Sequence, residues 1–210
     1  MYPQRKTTTS KSWQIFALCT LLLFFAAEAS AFERNVNRTR ANGQTASKSV
    51  TANRTANGYT HDATLTGFQG RTATRSSQGS WNADSKTWNR DVTATGPNGQ
   101  TASKDVTTTR TDNGYTRDTT VTGPQGNTAT RSAQGTWNAE TKTWNRDVTT
   151  TGPNGQTATK DVTATRTDNG YTRDTTVTGP QGNTATRSAQ GTWDPATKTW
   201  NKTVTTNGGN

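Results

Sequence analysis

Few residues in this 210-residue chain are of a type that does covalent chemistry. The single histidine, His61, stands where Arg117 and Arg173 stand in later copies of a repeat, so it reads as a surface strand residue. The single cysteine, Cys19, lies inside an apolar leader. Serine and threonine abound, but a hydroxyl becomes a nucleophile only beside a suitable base, and none is placed for them. Neither enzyme activity nor a cofactor is expected. The carboxylates offer one arrangement that could hold a metal. Asp91 is expected opposite Asp105, and Asp147 opposite Asp161, on neighbouring strands, where like charges repel. A hard cation such as Ca²⁺ between the oxygens would relieve that repulsion. Water and nearby Lys and Arg would relieve it as well. Asn35 and Ser49 occupy these places in the first copy, which weakens the metal reading.

A second constellation is basic. Arg90, Lys104, Arg110, Arg117 and Arg131 recur as Arg146, Lys160, Arg166, Arg173 and Arg187. Strand alternation places them on the same face as the tryptophans and tyrosines. Cations beside aromatic rings suit cation–π contact, or the stacking and phosphate or sulfate contacts that hold an anionic polymer. The plainer alternative is that the arginine stems pad the apolar side of a sheet. The third constellation is threonine at every second position, as in "TAT", "TTT" and "TVT". Such ranks resemble the ice-binding faces of some antifreeze proteins. Threonine is also simply a soluble strand former, and Asp and Gln interrupt this array.

The elements that position these residues follow from an internal repeat. Phe32, Trp88, Trp144 and Trp200 stand 56 residues apart. The chain divides into a leader, 1–31, three units, 32–87, 88–143 and 144–199, and a terminal capping strand, 200–210. Each unit contains variants of one phrase, "RDVTTTGPNGQTATK" and "RDTTVTGPQGNTATR", in which a Gly-Pro-x-Gly turn joins two alternating runs. Proline presets the first turn residue and glycine accepts positive φ, which predicts a three-residue hairpin loop with a bulge at glycine. "TDNGYT" lies between the phrases, and Asn-Gly there predicts a two-residue hairpin loop at Asn113 and Gly114. That loop would set Asp112 against Tyr115, Arg110 against Arg117 and Val106 against Val121. The Pro97–Gly99 loop would set Ala94 against Ala102, Val92 against Lys104 and Arg90 against Val106. One face then collects Trp, Tyr, Val, Ala and most Arg and Lys, and the other Thr, Ser, Asp and Gln.

"WNAETKTW" at 137–144 fits the same frame. With 138–143 as a loop, Trp137 lies opposite Trp144, Trp81 opposite Trp88, and Trp193 opposite Trp200. Each pair would clasp the end of one unit to the start of the next, with Gly135 covered by Tyr115 from across the strands. The stretch resembles the loop of the C-terminal hairpin in the immunoglobulin-binding domain of protein G, which is likewise closed by aromatics. The resemblance implies a hairpin and nothing about activity. The expected fold is all-β: an antiparallel meander of about 13 strands in one sheet. It is curled with the Trp/Val face inside, or else elongated and flat.

Composition sets the context. Arg5, Lys6 and Lys11 precede an apolar run from Ile15 to Ala27, and "ASA" at 29–31 supplies a cleavage site. This is the layout of a signal peptide, and the run is shorter than the roughly 20 residues of a spanning helix. Without it the chain has no cysteine and no transmembrane segment, and it stays strongly basic, the whole chain carrying a formal +10. The expectation is an exported, non-enzymatic repeat protein with a structural or adhesive role in the periplasm, at the cell surface or outside the cell. Its partners would be anionic polysaccharide, lipopolysaccharide or extracellular DNA. Alternatives are an ice- or ligand-binding module using the threonine face, and a self-assembling fibre subunit associating through its sheet edges.

Overall fold

A computed structural model describes residues 31–208. All of the expected leader except Ala31 lies outside the described residues. The first unit contributes β1 (Phe32–Thr39), β2 (Thr45–Thr55), β3 (Gly58–Thr66) and β4 (Thr72–Asn82). The second contributes β5 (Thr87–Thr95), β6 (Thr101–Thr111), β7 (Gly114–Thr122) and β8 (Thr128–Asn138). The third contributes β9 (Thr143–Thr151), β10 (Thr157–Thr167), β11 (Gly170–Thr178) and β12 (Thr184–Asp194), and β13 (Thr199–Gly208) ends the sheet. Each strand pairs antiparallel with the next, in the unbroken order β1 to β13. The sheet is a 13-stranded open meander, and no helix occurs among the described residues.

Among the described residues the sheet has no second layer to pack against. Its buried apolar residues, Val106, Ala133, Val148 and Val162, are only 5–6 % exposed, and all four share one face. They are covered by long neighbours on that face, not by another element. Ladder hydrogen bonds and cross-strand side-chain pairs therefore carry most of the cohesion.

The Gly-Pro-x-Gly turns form as expected. Gly96 N–H donates to Gln100 O at 2.8 Å and Gly99 N–H to Gly96 O at 2.9 Å, with Gly99 at φ 78°. Ala94 then faces Ala102, Val92 faces Lys104, and Arg90 faces Val106. Threonine hydroxyls pair beside these turns, as between Thr95 and Thr101 at 3.2 Å.

The Asn-Gly turn differs from expectation. Thr111 faces Gly114, so the two loop residues are Asp112 and Asn113, and Gly114 is the first residue of β7. Arg110 faces Tyr115 instead of Arg117, Val106 faces Thr119 instead of Val121, and Asp112 leaves the ladder. Gly114 serves a close approach there and not a left-handed backbone dihedral. A Cβ on Gly114 would fall on the Gly135 carbonyl of β8, and Gly114 is not in the left-handed region. The glycine is required by the neighbouring strand. Because the slip is two residues, every side chain keeps its expected face.

In the tryptophan turns, Asn138 still faces Thr143, leaving 139–142 as the loop. Asn138 Oδ1 accepts from Glu140 N–H at 2.9 Å and Thr141 N–H at 3.1 Å, and Lys142 closes the turn at φ 51°. Asp194 does the same work in the last copy. The Thr197 side chain, then the Ala196 and Thr197 amides, hold its carboxyl below the usual carboxylate range.

These turns and the Asp-Asn turns share one rim of the sheet and are tied together there. Trp137 N–H donates to Asn113 O at 2.7 Å, Arg166 N–H donates to Lys142 O at 2.9 Å, and Lys142 Nζ meets Asp168 at 3.2 Å.

Candidate functional site

Alternation along the strands separates charge completely. Each strand lysine and arginine, from Arg34 to Lys202, lies on the face that bears the valines and aromatics. Each strand carboxylate, from Glu33 to Asp194, lies on the threonine face. The ion pairs among the described residues, Lys86–Asp112 and Lys142–Asp168, are both in turns. No strand cation has a carboxylate partner there.

Four cavities among the described residues lie on the cationic face, and none of the four is lined by a carboxylate. One, of about 290 Å³, gathers Lys104, Arg117, Arg131 and Arg146 around Val121, Ala129 and Ala133. Another, of about 730 Å³, gathers Lys160, Arg173, Arg187 and Lys202 around Val177, Ala185 and Ala189. Each lining residue of the first recurs 56 residues later in the second. The larger cavity extends to Arg166, Tyr171, Trp137 and Trp144. The first unit repeats the plan with Lys48, His61, Arg75 and Arg90, spread over two adjoining cavities. Equivalent clusters are four strands apart, roughly 19 Å at the usual strand spacing.

The structure thus brings together Lys104, Arg117, Arg131 and Arg146 from four consecutive strands, and in the next unit Lys160, Arg173 and Arg187 with Lys202. Arg90 belongs to the first unit's cluster. Arg166 lines the larger cavity, whereas Arg110 lines none of these cavities. Sequence reasoning did not single out Lys48, Arg75 or Lys202. The 56-residue spacing to Lys104, Arg131 and Arg146 carries that signal. The Nε atoms of Arg90 and Arg146 are buried without a hydrogen-bond partner. These two stems therefore pad the sheet, while both residues still line cavities.

The aromatic rings are arranged differently from the expected clasp. Trp81 faces Trp88, Trp137 faces Trp144, and Trp193 faces Trp200 in the ladder. Of these pairs, Trp193 and Trp200 have their rings in contact, with centroids 6.4 Å apart. The rings that stack are Tyr59 on Trp88, Tyr115 on Trp144 and Tyr171 on Trp200, at 6.0–6.1 Å. Glycine is the reason. Tyr115 faces Gly135 as expected, and a Cβ there would meet the Trp144 ring at 2.5 Å and the Tyr115 ring at 2.7 Å. Gly79 and Gly191 play the same part. The hollow left by the glycine admits both rings, and the first tryptophan of each pair stays outside it.

Arg–Trp and Arg–Tyr cation–π contacts do not form on this face. The contact of this kind among the described residues is Arg40 over Phe68 at 3.9 Å, both in turns of the first unit.

Asp91 faces Asp105 and Asp147 faces Asp161, as expected, and all four are exposed on the threonine face. The Gln78 amide donates to Asp91 at 3.1 Å. No group of three potential metal ligands occurs among the described residues, and the Gln78 amide supplies a donor to the first pair.

No helix of the described residues is long and apolar enough to cross a membrane. No protein family, curated protein or solved structure matches this chain. The functional reading therefore rests on the chemistry of its two faces.

Proposed function

We propose that this is an exported, non-enzymatic repeat protein that holds anionic polymers at the cell surface or in extracellular matrix. The observation that supports this reading is the recurrence of one unpaired basic cluster, Lys104/Arg117/Arg131/Arg146, at the repeat spacing. A cation with no carboxylate partner gains most from an external sulfate, phosphate or carboxylate. Several such clusters on one scaffold give avidity without any tight pocket. The neighbouring Trp137, Trp144 and Tyr171 offer apolar surface to sugar rings or bases. Acidic polysaccharide, lipopolysaccharide and DNA share this chemistry.

The test is binding to each of these polymers across a salt series. A site neutralising about four anionic groups loses on the order of a hundredfold in affinity between about 50 and 200 mM salt. Removing residues 88–143 deletes one cluster in frame with the repeat and lowers avidity further. Binding that ignores both salt and the deletion would overturn the reading.

A further inference from the structure

We propose that β13 of one copy takes the place of β1 on the β2 edge of a second copy, with Trp200 opposite Ala52 and Val204 opposite Lys48. The strands β1, β5, β9 and β13 all occupy the first position of the repeat and carry Phe32, Trp88, Trp144 and Trp200 at equivalent places. Such a strand is followed by one partner type in one register. Phe32 faces Ala52, Trp88 faces Thr108, and Trp144 faces Ala164. Among the described residues β13 has no partner of this type, while β1 holds the one on β2. Two equivalent strands thus compete for one edge.

Burial shows what β13 lacks. Val148 in β9 is 5 % exposed, whereas its equivalent Val204 in β13 is 42 % exposed and Val36 in β1 is 36 %. Trp200 is 51 % exposed, and its interior equivalent Trp144 is half-buried. A β2 edge laid against β13 would cover both residues as β10 covers Val148 and Trp144.

Charge favours the replacement. β1 sets Arg34 against Val50 and Arg38 against Ala46. In the same register β13 sets Lys202 and Thr206 there, one cation fewer on a face that has no carboxylate. It also brings a tryptophan where β1 has Phe32. The ladder lost is the ladder gained, which makes strand exchange a low-cost route to association.

Exchange within one chain would close the sheet around the cationic face. All the strand cations would then crowd one lumen without a counter-charge, and unpaired charge is costly to enclose. Exchange between copies leaves that face open and propagates the repeat head to tail. Docking of β13 onto the free edge of an undisplaced β1 would pair two first-position strands, a pairing found nowhere in the sheet.

Cysteine cross-linking of the whole chain tests the register, in a Cys19→Ser background. Facing residues on antiparallel strands are close enough for a disulfide. Val204→Cys with Lys48→Cys should give a ladder of disulfide-linked dimers and higher oligomers under mild oxidation. Val204→Cys with Val50→Cys, two residues out of register, should give at least tenfold less. An intrachain disulfide in the first variant would show ring closure and overturn the proposal. A ladder confined to Val204→Cys with Val36→Cys would show outer-edge docking and overturn it too. Sedimentation of the unsubstituted protein should show mass rising with concentration; a monomer throughout would also overturn the proposal.

Discussion

Along β9 the side chains of Trp144, Arg146 and Val148 go to one face, and those of Asn145, Asp147 and Thr149 to the other. The same backbone builds both, so the difference is one of side chains alone. On the first face Val148 is buried and Tyr115 stacks on Trp144. The second face is joined by short hydroxyl and amide contacts, such as Thr163 to Asn145 at 3.0 Å. In a one-layer sheet, apolar cohesion and cation density have been put on the same side. Long arginine stems supply the cover that a second layer supplies elsewhere, and their charged ends reach solvent around cavities. The threonine face is left acidic and open, and the buried apolar residues of the described chain all lie on the other face.

The sharpest way to break this comparison is to make the same charge change on each face. Arg173→Gln with Arg187→Gln removes two cations from one cluster. It should weaken polyanion binding on the order of a hundredfold at about 50 mM salt, and lower the salt slope by about two. Thr203→Glu with Thr205→Glu changes net charge equally on the other face, where Thr203 faces Gln190 and Thr205 faces Ser188. That variant should bind within about threefold of the parent, since its charges are screened from the site by the sheet and by salt. Equal losses in the two variants would mean that net charge alone drives binding.

Stability should divide along the same line. Gly135→Ala drives a methyl into the stacked Tyr115 and Trp144 rings and should cost about 2 kcal/mol. Thr149→Ala, exposed on the opposite face, should stay within about 0.5 kcal/mol of the parent. Urea melts of the two variants measure both.

Within the aromatic face a smaller contrast is expected. Trp144 covers a glycine and stacks on Tyr115, whereas Trp137 is 39 % exposed without a stacked ring. Trp144→Ala should therefore cost about 1.5–2 kcal/mol and Trp137→Ala under about 1 kcal/mol. Equal costs would restore the symmetric tryptophan clasp that ladder positions alone suggest.

That contrast marks how far the sequence could be read. Strand count, strand order and the face of each side chain follow from alternation, because a side-chain period of two propagates through every turn. The two-residue slip at Asp112-Asn113 left no trace in that pattern, since it moves no side chain to the other face. What requires the glycine at 114 is the carbonyl of Gly135, in another hairpin. The ring partners were hidden for a related reason. Trp137 and Trp144 are opposite in the ladder, but the hollow that draws Trp144 toward Tyr115 is made by a glycine two residues before Trp137. The basic clusters were half legible. Each cation could be placed on its face, but the grouping of Lys104, Arg117, Arg131 and Arg146 needs the relative positions of four strands.

The smallest expected effect lies on the threonine face, where Asp147 opposes Asp161. Both carboxylates are exposed, so water and salt weaken their repulsion. Asp147→Asn should raise stability by up to about 0.5 kcal/mol at low salt. The gain should vanish at about 1 M salt, where the Debye length shrinks to roughly 3 Å. A bound cation would reverse the sign. If Ca²⁺ bridged the pair, the same substitution would lower the melting temperature in calcium and still raise it slightly in chelator, where only the repulsion is lost. The expected result is a small rise in both, because two exposed carboxylates without a third ligand leave a hard cation better served by water. The acidic face would then be a place where repulsion is tolerated at little cost, in contrast to the cationic face, where unpaired charge is available to a ligand.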